Sequence, residues 1–209
     1  MSTRDSVFLR ALGPEAERLS PEVREYVAGP PEGRTAGRGR GVFAVAGSPL
    51  RRLGGLLALV TGPGVMLTRY EREVPFEIVN LPTTENGVPV LHAERDFRFR
   101  GGAQRFVDVL YVGATAGTLV NVPGTRGRVE LLLECAVTPG GGLRLRSRAA
   151  RIRLGARRFR LPAILAVQVE AVDDWDAARG RRTIDAVVRH PLLGTVLRYR
   201  GWFDYEYEE

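Results

Sequence analysis

Residues 91–99 read LHAERDFRF, and apolar side chains alternate with polar ones along this stretch. A period of two predicts a β-strand that turns one face to a core and the other to water. The face with the apolar side chains holds Leu91, Ala93, Arg95, Phe97 and Phe99. One arginine therefore falls on the side that should be buried.

The same period continues through most of the chain after residue 67. Residues 129–137 alternate in the same way, from Val129 to Val137. Similar segments cover 69–81, 104–112, 143–154, 164–172, 183–190 and 195–203. Turn sequences separate them at Asn86-Gly87, Gly101-Gly102, Gly140-Gly141-Gly142 and Asp173-Asp174. Connections this short require antiparallel neighbours, because a parallel crossover needs about a dozen residues or more.

The residues before 67 predict helices instead. Ser20-Pro21-Glu22 is a helix start with an N-cap and a first-turn proline, and Gly29 ends that helix. An earlier helix covers about residues 5–12. Ser48-Pro49 starts a third helix, whose apolar stripe runs to Val60.

The predicted fold is α+β and mostly β. About eight long antiparallel strands form a meander, which their twist curls into a barrel or half-barrel. N-terminal helices precede the barrel, and the Ser48 helix packs on the sheet or plugs it. We interpret the 209 residues as one domain, with three parts: N-terminal helices and a loop (1–36), a helix-capped barrel (37–203) and an acidic tail (204–209). Gly37, Gly39 and Gly41 lack the context of a dinucleotide-binding motif and are interpreted as a mobile loop.

The composition excludes several chemistries. All 31 basic residues are arginine, so a lysine-dependent phosphate loop and a Schiff-base lysine are ruled out. Two histidines and one cysteine are too few for a clustered metal site, and we expect neither a metal nor a cofactor. Arginine enrichment is also what a GC-rich genome encodes, so the formal charge of +7 does not predict nucleic-acid binding.

No apolar run approaches the roughly 18 residues that span a bilayer, and residues 1–10 do not have a signal-peptide core. We therefore expect a cytoplasmic protein without a transmembrane segment. Cys135 falls on the apolar face of its strand and is interpreted as a core residue. Homo-oligomerisation is left open.

Arg95 is the first candidate for a functional side chain. A buried guanidinium needs an anion, and Asp108 shares a face with Phe106 and Leu110 on a nearby strand. Arg95 and Asp108 then form either a structural ion pair or a pair in which Arg95 orients a ligand. A β-bulge that places Arg95 in water is the third alternative.

We take Arg95 and Asp108 as the candidate catalytic residues. The candidate ligand-binding residues are Ala93, Phe97, Phe99, Phe106, Tyr111 and Trp202. A basic ribbon runs along 144–160, with Arg144, Arg146, Arg148, Arg151, Arg153, Arg157, Arg158 and Arg160. It lacks interleaved aromatic residues, so a solvated sheet face is favoured, with an acidic lipid surface or an acidic carrier protein as alternatives.

Several motifs carry a resemblance to a known family. They are Leu12-Gly13-Pro14, Leu19-Ser20-Pro21, Arg95-x-Phe97, Pro191-Leu192-Leu193-Gly194 and Tyr199-Arg200-Gly201-Trp202. With them the chain resembles the bacterial domain-of-unknown-function family numbered 4166 over nearly its whole length. Ala93 departs from the family pattern, which has tryptophan there, and this would enlarge or alter a pocket. Members are sometimes joined to a nicotinamide-dependent oxidoreductase domain, which implies a role beside small-molecule chemistry.

Three functions fit these observations. The barrel encloses an apolar small molecule and acts as a cofactor-independent cyclase or isomerase in biosynthesis. Alternatively, the same pocket only binds and carries an apolar ligand. In the third hypothesis the barrel is filled, and the basic ribbon makes it an interaction module for an anionic partner.

Overall fold

The computed structural model describes residues 6–50, 65, 67–155 and 157–208. Helices α1 (Val7–Leu12) and α2 (Pro21–Ala28) come first, with a 3-10 helix (Gly13–Arg18) between them. The strands are β1 (Ala36–Gly47), β2 (Tyr70–Glu85), β3 (Val88–Phe99), β4 (Gly102–Val112), β5 (Thr118–Pro123), β6 (Val129–Val137), β7 (Leu143–Leu154), β8 (Arg157–Arg160), β9 (Gln168–Asp176), β10 (Arg181–His190) and β11 (Gly194–Glu208). The helix predicted from Ser48 to Val60 falls mainly on residues 51–64, which lie outside the described residues.

The strands form one antiparallel sheet that closes on itself. Neighbours run in the order β6-β5-β4-β3-β2-β1-β11-β10-β9-β7, and pairing of β6 with β7 closes a ten-stranded barrel. The predicted antiparallel barrel is confirmed. It is not a strict meander, because β7 pairs along one edge with both β9 and the short β8.

The two ends of the barrel differ. We call the end with turns 113–117 and 138–142 the lower end, and the end with turns 100–101 and 191–193 the upper end. The N-terminal helices cover the lower end, where the Gly117 amide donates to the Ala11 carbonyl at 3.0 Å and the Ser20 amide to Gly141 at 2.9 Å. Val7, Val23 and Val27 are buried there.

The predicted start of α2 is confirmed. The Ser20 hydroxyl accepts from the Val23 amide at 3.3 Å, Pro21 is the first helical residue, and Gly29 follows the last turn. This cap satisfies one amide that the helix itself leaves unbonded. Within the described residues, neither helix has the length and apolarity needed to span a bilayer.

Two turn and loop predictions were wrong. Asp173 and Asp174 lie inside β9 and pair with Ile184 and Thr183 of β10, so the turn comes after Asp176. The acidic tail is a continuation of β11, in which Glu206 pairs with Arg38 of β1. Backbone pairing thus extends the strand where charge alone suggested a free tail.

The glycines of β1 are also not a mobile loop. Gly37, Gly39 and Gly41 lie in a paired strand. A Cβ at Gly37 would overlap the Tyr205 hydroxyl, and one at Gly41 would lie 1.9 Å from the Trp202 carbonyl oxygen. The glycines allow close approach of β1 and β11. Gly201 does the same from the other side, since its Cβ would meet the Val42 carbonyl.

Replacing Gly41 with alanine should therefore destabilise the barrel. We expect a loss of about 1–3 kcal/mol in the free energy of unfolding, because the clash is with backbone and the strands must move apart. Urea denaturation measures this loss. Gly140→Ala is the control, since its Cβ meets only the Thr138 hydroxyl, at 3.9 Å. Equal stability of the two variants would contradict the close-approach explanation.

Candidate functional site

The barrel encloses a cavity of about 220 Å³. Its wall comes from strands all around the barrel, with Phe8 and Tyr26 of the helices at the lower end and His190 and Leu193 at the upper end. Most lining side chains are apolar, such as Phe43, Leu131 and Val169. Polar side chains are few, and most of them belong to small groups on the wall.

The first polar group joins β3, β4 and β5. Alternation turns Arg95 inward, as predicted, and its Nη1 donates to Asp108 Oδ1 at 2.5 Å. Asn121 Nδ2 donates to the other oxygen, Oδ2, at 2.5 Å. Burial opposes the charge of Arg95, but attraction to Asp108 outweighs burial and keeps the pKa of the guanidinium above its ordinary value. The predicted ion pair is present; its catalytic role stays a prediction.

This pairing leaves part of Arg95 unused. Its Nε is enclosed and has no hydrogen-bond acceptor among the described residues. Its guanidinium carbon lies 5.7 Å from the centre of the Phe106 ring, which also lines the cavity. A donor held beside an apolar ring is available to an acceptor atom in the cavity.

Asp173 of β9 is the second polar group. Its Oδ1 is enclosed and has no donor among the described residues. Burial raises the pKa of the Asp173 carboxyl to about 7, although Arg95 and Arg182 act to lower it. At neutral pH this carboxyl is therefore divided between its protonated and ionised forms, which suits a group that both gives and takes a proton.

Two tyrosines add to the polar part of the wall. Burial raises the pKa of Tyr26 and of Tyr199, and the charge of Asp173 adds to the effect in both. Both hydroxyls thus stay protonated at neutral pH. The Tyr199 ring lies 5.2 Å from Phe43 and 5.9 Å from Phe97, so its position is fixed by aromatic packing.

The structure divides the predicted ligand-binding residues. Phe106 lines the cavity, while Ala93, Phe97 and Phe99 are buried on the inward face of β3 without being part of the cavity wall. Tyr111 alternates with the inward Leu110 and therefore faces outward.

Trp202 also faces outward. It follows the same alternation as Tyr111, since its neighbour Phe203 points into the barrel, and the Arg181 guanidinium covers its ring at 4.2 Å. Neither Tyr111 nor Trp202 is part of the wall of this cavity, and their role in ligand binding stays a prediction.

Asp173 and Asn121 were missed by the sequence reasoning. Asp173 was assigned to a turn because two aspartates in succession are typical of turns. Val169, Ala171 and Asp173 are two residues apart in turn, and the first two lie on the cavity wall. This spacing could have predicted that Asp173 also faces inward. Asn121 lies between Val120 and Val122, and only the pairing of β4 with β5 brings it to Asp108.

Cys135 is buried in the core, as predicted, and burial raises the pKa of its thiol to about 12. A thiol with so little thiolate is a poor nucleophile. Among the residues that the structure describes, no three His, Cys, Asp or Glu side chains are grouped to hold a metal ion.

Comparison with known protein families finds a match. The family model described as "Domain of unknown function (DUF4166)" matches residues 19–203. The chain belongs to this family. A comparison with curated proteins finds no match. The DUF4166 match includes α2 and every strand at least in part, and Phe8 is the only described residue of the cavity wall that precedes it.

Proposed function

We propose that this DUF4166 barrel binds a small apolar molecule and isomerises or cyclises it by acid–base chemistry without a cofactor. The observation that carries the proposal is the unpartnered, enclosed Oδ1 of Asp173, a residue on the wall of a cavity that is otherwise mostly apolar. An unsatisfied buried carboxyl costs stability, and groups of this kind cluster where function requires them.

The volume of the cavity limits the ligand. An apolar cavity of about 150 Å³ admits benzene, and drug-sized pockets measure about 300–1,000 Å³. A cavity of about 220 Å³ lies between these values. The expected ligand has one or two rings and a polar atom that accepts a hydrogen bond, because Arg95 keeps donor positions that Asp108 does not use.

The geometry supports separate roles for Asp173 and Arg95. Ionised Asp173 removes a proton from a carbon next to a carbonyl group. The Arg95 guanidinium donates to the oxygen of the resulting enolate and stabilises its charge. Protonated Asp173 then returns the proton to a different carbon, so that a double bond changes position and no other reactant is needed. Asp108 and Asn121 hold the guanidinium in place.

Two probes test the proposal. We expect 1-naphthol to bind with one site per chain in isothermal titration calorimetry. The protein should also accelerate isomerisation of 3-cyclohexenone to its conjugated isomer, followed by ultraviolet absorbance. Ala186→Trp should weaken 1-naphthol binding at least about tenfold, because the indole ring occupies the volume that the ligand needs; tenfold corresponds to about 1.4 kcal/mol.

Val187→Trp is the matched control. Val187 neighbours Ala186 on β10 but does not line the cavity. Its variant should bind 1-naphthol like the parent protein. Loss of binding in both variants, or in neither, would contradict a ligand site inside the barrel.

A carrier is the second candidate. It is favoured by the predominantly apolar wall and by the pairing of Arg95 with Asp108, which already compensates the buried charge. Asp173→Asn separates the two functions. An isomerase loses turnover of 3-cyclohexenone and keeps 1-naphthol affinity, whereas a carrier binds 1-naphthol and shows no turnover in either protein.

A further inference from the structure

Exposed apolar side chains are concentrated in two turns at the upper end. Ile164 and Leu165 are 54% and 53% exposed, and Leu192 is 66% exposed. The first turn leads into β9 and the second follows β10. Because Gln168 pairs with Arg189 at the upper ends of these neighbouring strands, the two turns lie side by side.

The β7–β8 hairpin extends this apolar surface. Leu154 and Phe159 lie near its tip and are also exposed. We call Leu154, Phe159, Ile164, Leu165 and Leu192 the upper apolar tips. They lie on two turns and one hairpin at the same end of the barrel, and exposed apolar side chains grouped in this way mark sites of contact with a membrane or another protein.

The surroundings of the tips are strongly basic. No acidic residue occurs between Glu134 and Glu170, nor between Asp185 and Asp204. Among the described residues, no carboxylate lies within 4.0 Å of Arg157, Arg160 or Arg189. Arginines elsewhere on the barrel are paired: Arg38 contacts Glu77, and Arg105 lies 2.7 Å from Asp96.

A polar groove of about 730 Å³ lies beside the tips. Four arginines line it, Arg146, Arg148, Arg160 and Arg189, and one carboxylate, Glu170, faces them. Guanidinium groups bind phosphate in a bidentate manner. The groove therefore suits phosphate head groups that surround an inserted apolar tip.

We propose that the upper apolar tips and their flanking arginines dock this protein onto an anionic lipid bilayer. Charge complementarity favours this occupant, since a second copy would bring the same arginines into mutual repulsion. Leu193, Val167 and His190 join this surface to the cavity wall. Docking thus brings the cavity close to the phase in which apolar ligands accumulate, a consequence that rests on the proposed function.

Vesicle sedimentation of the whole protein tests the docking. We expect binding to vesicles of phosphatidylcholine and phosphatidylglycerol, weakened by added salt, and little binding to phosphatidylcholine alone. The double variant Ile164→Asp with Leu192→Asp should bind at least about tenfold more weakly. The triple variant Arg157→Gln, Arg160→Gln and Arg189→Gln should lose binding to the same extent. Val88→Asp, at an exposed apolar position at the lower end, should bind like the parent.

Other outcomes overturn the proposal. Equal binding to both vesicle types, no binding to either, or an unchanged double variant would each do so. A concentration-dependent dimer that Leu192→Asp abolishes would assign the tips to contact between copies instead. Cavity variants distinguish this proposal from the preceding one: Ala186→Trp should lose 1-naphthol and keep vesicle binding, whereas the double tip variant should show the opposite.

Discussion

Replacing Asp108 with alanine is expected to lower the free energy of unfolding by about 3–5 kcal/mol. Arg95 is 15% exposed and Asp108 7% exposed, so the variant leaves a guanidinium charge inside the barrel without its anion. Asn121 loses its acceptor at the same time. Urea denaturation at neutral pH measures the loss, and circular dichroism confirms that the variant folds before the titration.

Two comparisons show whether the buried charge is the cause. The double variant Arg95→Met with Asp108→Leu removes both charges and should recover most of the lost stability, since a well-packed apolar pair often replaces a buried ion pair without cost. Arg105→Ala removes a cation from an exposed pair with Asp96 and should cost less than about 1 kcal/mol. A similar cost for Asp108→Ala and Arg105→Ala would contradict a desolvated pair.

The pair could be predicted because it depends on local alternation alone. A period of two fixes the face of Arg95 within β3 and of Asp108 within β4, and a short turn places these strands side by side. Antiparallel pairing sets Ala93 opposite Asp108, and Arg95 follows two residues later on the same face of β3. The side chains of Arg95 and Asp108 therefore meet. No long-range information was needed for this part of the site.

The rest of the site depends on contacts between residues distant in sequence. Asp173 reaches the cavity because β7 pairs with β9 at its lower end and with β8 at its upper end. Tyr26 reaches it because α2 covers the lower end of the barrel. Neither the change of strand partner nor the position of the helix is encoded in a local pattern.

Tyr111 and Trp202 lie outside the cavity wall for a different reason. Aromatic character suggested a ligand site, but Leu110 and Phe203 beside them already occupied the inward positions. The alternation that correctly placed Arg95 also placed these two rings outside. Where residue type and period disagree in a strand, the period decides, because the backbone alone fixes the face.

We expect the parent protein to lose stability as the pH rises from about 4 to about 7, and Asp173→Asn to show no such loss. Burial raises the pKa of this carboxyl from 3.8 to about 7. Between these values the folded protein holds a proton that the unfolded chain has released, so the free energy of unfolding falls as pH rises. The loss is absent below the lower value and complete above the upper one, where it is on the order of 4 kcal/mol.

The measurement is a series of urea titrations from pH 4 to pH 8 on parent and variant. Asparagine cannot ionise, so Asp173→Asn should match the parent near pH 4 and exceed it at pH 8. Asp204→Asn is the control, since Asp204 is exposed on the outer face of β11 and its variant should follow the parent at every pH. Parallel curves for the parent and Asp173→Asn would contradict the raised pKa.

This result bears on the chemistry without requiring the ligand. Acid–base catalysis at neutral pH needs a group that is both protonated and ionised there, and the stability curve reports that property directly. The free energy of unfolding of the parent protein levels off at a certain pH. If the protein turns over 3-cyclohexenone, the acidic limb of its pH–rate profile should have a pKa near that pH, because the same proton on Asp173 governs both.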